Sequence, residues 1–269
     1  MRRLLVLILC LILANPVWAG IDFDGTDDYV TMGNPDSMKF GNTTAFSYAV
    51  WVKPGTLQGD GTYQGIFGDN YSTNEGWGVF YLNYSGIVLD GFEACYFDGF
   101  NFTCRVSDDN VLVEGVWTHF VMTQDTTNTL EGRKMYVNGV EQSGSRCGGT
   151  GCDVVATLDY VNTNLTMASR DGAGAGTFWL GNVGEARVYN RELSAAEVLT
   201  LYESKMRHGV VNGMISYWTN DEQPGGTAAD GDTVHDVVGG VNGTASYGDD
   251  FAGCTWADEN NISYPPGID

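Results

Sequence analysis

The sequence predicts an all-β protein, an antiparallel two-sheet sandwich with one short α-helix toward its C-terminal end. Three observations point there. Short β-branched and aromatic runs alternate with turn residues from Ile21 to Asn190, the chain holds 37 glycines, and only one stretch carries a helical period.

The runs are read in order. Phe46–Val52, Gln64–Phe67, Gly78–Leu82, Gly86–Asp90 and Trp117–Gln124 have strand composition, as do Leu165–Ser169, Thr177–Leu180 and Glu185–Tyr189. Lys134–Val137 is followed by Asn138-Gly139 and Val140–Gln142. Asn-Gly tolerates the positive φ angles of a tight type I′ turn, so this is the strongest hairpin signal in the chain. Ser194-Ala-Ala-Glu197 is a capping box, with Leu193 and Val198 placed as a hydrophobic staple. The helix is expected from about Ala195 to Met206, with Lys205, Arg207 and His208 at its negative end and Gly209 closing it.

The first residues read differently. Arg2 and Arg3 precede an apolar run from Leu4 to Ala14, Asn15-Pro16 breaks it, and Val17-Trp18-Ala19 offers a small residue for cleavage. This is a signal-peptide pattern over residues 1–19, too short to span a bilayer. Leu9 is too bulky for Cys10 to serve as a lipid attachment point. The expected product is an exported chain starting near Gly20, with no membrane insertion after cleavage and a secreted, periplasmic or cell-surface location. The chain carries 34 acidic and 13 basic residues, net −21; without Arg2 and Arg3, 34 − 11 gives −23. Such a surface repels nucleic acid and anionic membranes, and suits cations and neutral glycans.

Five cysteines follow the leader: Cys95, Cys104, Cys147, Cys152 and Cys254. Export permits disulfides. Two local pairings are expected, Cys95–Cys104 around a hairpin and Cys147–Cys152 around Gly-Gly-Thr-Gly, leaving Cys254 without a local partner. Thiolates at these spacings, with no histidine near, do not read as a zinc site.

Five blocks in register now carry a resemblance: Ile21–Val30 (IDFDGTDDYV), Phe46–Pro54 (FSYAVWVKP), Val116–Asp125 (VWTHFVMTQD), Lys134–Gly144 (KMYVNGVEQSG) and Gly184–Tyr202 (GEARVYNRELSAAEVLTLY). Together they resemble the laminin G-like, concanavalin A-like jelly rolls of exported proteins. The resemblance implies a two-sheet jelly-roll β-sandwich over 20–208 that binds a glycan or another surface protein without catalysis; the alternative is a structural or adhesion module of a cell surface or virion with no small ligand, ahead of a glycoside hydrolase. It also implies that Gly213–Ser246 matches the opening strand and loop that precede Phe-Asp-Gly in such domains. Gly213–Trp218 either folds back as a strand of the sandwich, a permuted arrangement, or begins a second repeat that was lost; the first is expected, since an unpaired apolar strand invites aggregation, with the rest of 209–269 irregular.

Asp22, Asp24, Asp27 and Asp28 crowd one glycine turn. Like charges at such range repel, so the cluster is either a cation site or a solvated acidic turn. Ca²⁺ accepts irregular oxygen cages, although the spacing is not that of an EF-hand: Asp27 stands where its glycine belongs and Gly33 where its bidentate glutamate belongs. The resemblance implies a structural calcium here, held by Asp24, Asp27 and Asp28, with Glu185 matching by position the acid before the Tyr-Asn-Arg block.

Catalytic patterns are missing from the sequence. No Glu-x-Asp-x-Glu or Glu-x-Asp-x-x-Glu strand supplies the facing carboxylates of a retaining glycosidase, and no Gly-x-Ser-x-Gly elbow is present. His119 is expected to be a packed strand residue. Gly172–Gly176 precedes a strand rather than a helix and reads as a turn. The candidate sugar-stacking residues are aromatics of the loop-rich stretch Gly59–Thr103, with Tyr71, Tyr96 and Phe100 put forward and Trp77 assigned to the core.

Overall fold

A computed structural model describes residues 20–41, 43–69, 75–98, 102–127, 129–148, 164–170, 178–205, 209–220, 229–246 and 255–256. Residues 1–19, expected from the sequence to be a signal peptide, lie outside them. In chain order the strands are β1 (Ile21–Asp24), β2 (Tyr29–Gly33), β3 (Phe46–Pro54), β4 (Thr62–Gly68), β5 (Glu75–Tyr84), β6 (Val88–Asp98), β7 (Phe102–Val106), β8 (Thr118–Gln124) and β9 (Arg133–Val137). They continue as β10 (Val140–Gln142), β11 (Gly144–Gly148), β12 (Leu165–Met167), β13 (Leu180–Tyr189), β14 (Met214–Trp218), β15 (Thr233–Val234), β16 (Gly243–Ser246) and β17 (Thr255–Trp256), with the helix α1 (Ala195–Glu203) between β13 and β14. Among the described residues no helix is long and apolar enough to cross a membrane.

Two antiparallel sheets result. The first runs β10-β9-β8-β3-β13-β1-β17, with β14 also on β13; the second runs β11-β7-β6-β5-β4-β12-β2-β16-β15. Strand alternation explains what lies between them. Tyr48, Val50 and Val52 of β3, Phe120 and Met122 of β8, and Trp77, Val79 and Tyr81 of β5 all enter one buried core. Alternate residues of the first sheet, among them Ala49, Val121, Tyr136 and Tyr189, face the other way. There they pack under Leu193, Val198 and Leu201 at the helix.

Several elements differ in extent from the sequence reading. Val88–Asp98 is a single long strand, because β5 on one side and β7 on the other satisfy its backbone along most of its length. The residues flanking the Cys95–Cys104 loop are thus strands, and β11 adds a further one beyond β7. Asn138 and Gly139 do adopt positive φ angles, 50° and 79°. The capping box forms as well: the Ser194 side chain accepts from the Glu197 N–H while Glu197 accepts from the Ser194 N–H. Arg191 grips the same Glu197 carboxylate with two nitrogens, at 2.7 and 3.0 Å, and holds its pKa down at about 2. The helix stops at Glu203, with Lys205 rather than Gly209 taking the left-handed conformation.

The segment after the helix is not irregular throughout. β14 lies along the Ala186–Tyr189 half of β13, while β1 lies along its Leu180–Val183 half on the same side. Both run antiparallel to β13, so β14 and β1 follow one another along one edge like two halves of a single strand. β16 extends the second sheet beside β2, and β17 pairs with β1. Trp218 and Val234 are fully buried and Ala245 nearly so, because these strands complete both layers. Asp236 secures the turn that follows β15: its carboxylate accepts the N–H groups of Tyr217, Val238, Gly239 and Val241.

Candidate functional site

The acid turn joins β1 to β2. Gly25 adopts φ +78°, and a Cβ there would come within 2.8 Å of the Leu180 Cβ, so only glycine lets the turn lie against β13. The carboxylates organise the backbone. Asp24 accepts the Thr26 N–H at 2.7 Å, and Asp28 accepts the Asp24 N–H at 3.2 Å. One carboxylate oxygen from each of Asp24, Asp27 and Asp28 lies within 4.8 Å of the others. Asp28 is buried, Asp27 half-buried and Asp24 exposed. Two unit charges 4 Å apart repel by about 4 kcal/mol near a protein surface. A donor set made only of carboxylate oxygens at a turn fits a hard divalent cation, and it lacks the nitrogen and sulfur ligands that zinc prefers.

Asp22 stands apart from this trio. It shares the outer face of the first sheet with Lys53; burial raises its pKa, while Lys53 opposes the rise.

Glu185 is likewise elsewhere. A bulge in β13 between Val183 and Ala186 lets both of those residues face the core, which turns Glu185 and Arg187 to the outer face. There the Glu185 carboxylate pairs with Arg187 Nη2 at 2.6 Å and accepts the Tyr217 hydroxyl. The Arg187 guanidinium lies 4.7 Å from the Tyr217 ring centroid. Burial, and then the Glu185 charge, push the Tyr217 phenol upward. Beside this pair His119 stacks on Trp51, their centroids 4.7 Å apart, and Trp51 stacks on Tyr202 of the helix. Its Nδ1 is buried without a hydrogen bond. Burial and the nearby Arg187 charge drive its pKa down to about 3, which keeps the ring neutral at ordinary pH. Ala49, Trp51, His119, Glu185, Arg187 and Leu201 surround a cavity about the size of one water.

A laminin G family model, described as the concanavalin A-like lectin/glucanases superfamily, matches residues 24–199. The chain belongs to this superfamily. No curated protein matches it. Among solved structures, a proposed carbohydrate binding protein from Bacteroides ovatus superposes with TM-score 0.64 at 18% identity. The overlap covers 95% of this chain and 63% of that one, so this chain spans less than two thirds of its length. The CBM40 of the Ruminococcus gnavus IT-sialidase superposes with TM-score 0.51 at 13% identity, over 70% of this chain and 99% of that one. The enzymatically active domain of bacteriophage CBA120 tailspike protein 2 gives 0.53 at 14%, over 76% and 30%. At these identities the likeness is one of fold.

The lectin-like sandwich brings together some of the expected site residues and separates others. Asp24, Asp27 and Asp28 converge; Glu185 does not join them, because its charge is committed to Arg187 on the outer face. Tyr96 is a correction: it points between the sheets and is fully buried, with the Arg133 guanidinium 4.4 Å from its ring centroid, so it offers no face to a sugar. Tyr71 and Phe100 lie outside the described residues. Trp77 is core, its Nε1 donating to the Met38 carbonyl at 3.2 Å. Cys95 and Cys104 form a disulfide between directly opposed residues of β6 and β7. It is buried beside Phe80 and Phe97 on the face of the second sheet away from the core. The Cys147–Cys152 pairing falls outside the described residues. The sequence reading missed the Glu185–Arg187–Tyr217 group. Its one signal was the alternation of Glu185 and Arg187 in an otherwise apolar strand, which places opposite charges on one face.

Proposed function

We propose that this protein is an exported, non-catalytic carbohydrate-binding module, stabilised by a calcium ion at the β1–β2 turn. The observation that carries the reading is the sandwich itself. Its superfamily membership and its overlap along nearly the whole chain with a proposed carbohydrate binding protein favour sugar recognition over other uses of an acidic, exported β-sandwich. A carbohydrate-binding module of similar fold, covered almost end to end, supports the same choice. The converging Asp24, Asp27 and Asp28 oxygens support the cation. Export is inferred from the leader, and the Cys95–Cys104 disulfide is compatible with it.

A glycan array probed with the purified protein, in calcium and again in EDTA, tests this function. Binding to a defined glycan class, without release of reducing sugar from it, is the expected result. Silence across all glycans would instead make the sandwich a structural or adhesive module whose partner is another surface protein. Hydrolysis that disappears in a single Asp or Glu variant would make it an enzyme.

A further inference from the structure

A cleft opens on the outer face of the first sheet, where the β9–β10 hairpin meets the start of the helix. Its volume is about 380 Å³, inside the ~300–1,000 Å³ range of small-ligand clefts. Strand register supplies one wall. Glu141 of β10 stands opposite Tyr136 of β9, and Lys134 lies two residues before Tyr136, so alternation brings all three to one face. Glu192, Leu193 and the first residues of the helix form the other wall.

That second wall is held in place. The Ser47 hydroxyl of β3 donates to the Arg191 carbonyl at 2.9 Å and accepts the Leu193 N–H at 3.0 Å, so both chain neighbours of Glu192 are tied down. Tyr136 and Leu193 are buried together beneath the cleft. A site set on fixed elements loses little freedom when a ligand enters.

The charges around the cleft do not balance. Glu197 is matched by Arg191. Lys134 Nζ lies 3.9 Å from Glu192, and both side chains are part-exposed, so the pair is loose. Glu141 makes no ion pair among the described residues, and Arg105, which senses its charge, donates instead to the Leu130 and Arg133 carbonyls. Burial, followed by the charges of Glu141 and Glu192, pushes the Tyr136 phenol up to about 12, so both carboxylates bear on a hydroxyl that stays protonated. One negative charge is left over. Among the described residues Glu141, Glu192 and Glu197 do not gather within 4.8 Å of one another as the turn carboxylates do. The surplus therefore suits a cation carried on a larger polar molecule rather than a bare metal ion.

We propose that this cleft binds an amino sugar with a free, protonated amine, an assignment that rests on the carbohydrate-binding reading above. The ammonium lies between Glu141 and Glu192 and donates to both, with the Tyr136 hydroxyl as a further acceptor below it. Such charge-assisted hydrogen bonds are the strong ones. Lys134, released from its loose pair, donates to the hydroxyl on the adjacent ring carbon. The chain's net charge of −21 draws a polycationic glycan toward the site.

Calorimetric titration of the purified protein tests this, with a glucosamine disaccharide as the probe and its fully N-acetylated form as the uncharged control. At a mildly acidic pH that keeps the amine protonated, one saturable site is expected for the amine, with the acetylated sugar bound at least about tenfold more weakly. Glu141→Gln and Glu192→Gln should each weaken binding about tenfold, the loss expected when one hydrogen bond to a charged group is removed. Glu203→Gln removes the same charge from an exposed position at the far end of the helix and should leave binding unchanged. Equal binding of the two sugars, or full binding by both cleft variants, would overturn the cleft as an amino-sugar site. Failure to bind the amine, alongside a neutral glycan bound on the array, would also overturn it and leave the carbohydrate reading standing. Silence on every glycan would overturn both.

Discussion

The acid turn and the buried Glu185 meet the same electrostatic problem with opposite solutions. Beneath the helix, the carboxylate is matched inside the protein by a guanidinium and a phenol, and water is almost shut out. At the β1–β2 turn, three carboxylates converge, and Asp24 and Asp28 accept backbone N–H groups of the turn. The difference teaches where this molecule can accept something from outside. A carboxylate already neutralised by its neighbours is structure, whereas three carboxylates converging at one turn concentrate the charge that the proposed cation would offset.

The sharpest way to break that comparison is to remove the internal match. Arg187→Ala strands Glu185 as a buried charge and should cost about 3–5 kcal/mol in chemical denaturation. Replacing both partners by apolar residues, Glu185→Leu with Arg187→Met, should recover most of the loss. If the double variant is as unstable as the single one, the pair matters for more than charge balance.

The turn should respond in the other direction. Ca²⁺ at about one hundred times its dissociation constant should stabilise EDTA-stripped protein by about 2.7 kcal/mol. In Asp24→Ala/Asp28→Ala the thermal midpoint should ignore the metal. A wild-type midpoint unmoved by Ca²⁺ would leave the turn as an acidic loop held by its own hydrogen bonds.

The smallest effect concerns His119. Its pKa in the folded state, about 3, lies below the ordinary 6.5, so the unfolded chain binds the extra proton between those values. Stability from this group is therefore complete above pH 6.5 and is lost as pH falls toward 3, by about 2 kcal/mol at pH 5. Comparing urea denaturation of wild type and His119→Gln at pH 7 and pH 5 isolates it. An equal pH dependence in both proteins would show that the imidazole gains protons without unfolding its surroundings.

Much of the sandwich was legible because its signals are local. The Asn138-Gly139 turn, the Ser194–Glu197 capping box and the alternating run Phe46–Val52 each contain the residues that dictate their own conformation. The strands after the helix were harder. β15, β16 and β17 are two to four residues long, and they are strands only because β2 presents an edge to β16, β16 to β15, and β1 to β17. Nothing within Gly243–Ser246 announces such a partner. At the site, the convergence of Asp24, Asp27 and Asp28 follows from a single turn. The place of Glu185 depends on the β-bulge in which it sits, and the burial of Tyr96 depends on which face of an uninterrupted strand it occupies. Sequence spacing reports neither.

The shared edge of β13 also governs the order in which this molecule can be assembled. β1 and β2 emerge early from the ribosome, yet Asp22 finds its neighbour at Thr255 and Val30 finds one at Ala245. The Ala186–Tyr189 half of β13, paired with β3 on one side, keeps its other edge open until β14 has been synthesised. Such distant pairings slow folding, since the entropy of closing the chain must be met before the contacts form. Until then the nascent sandwich carries open strand edges in both sheets, which makes the interval before β14 to β17 arrive the period in which it is most exposed to aggregation.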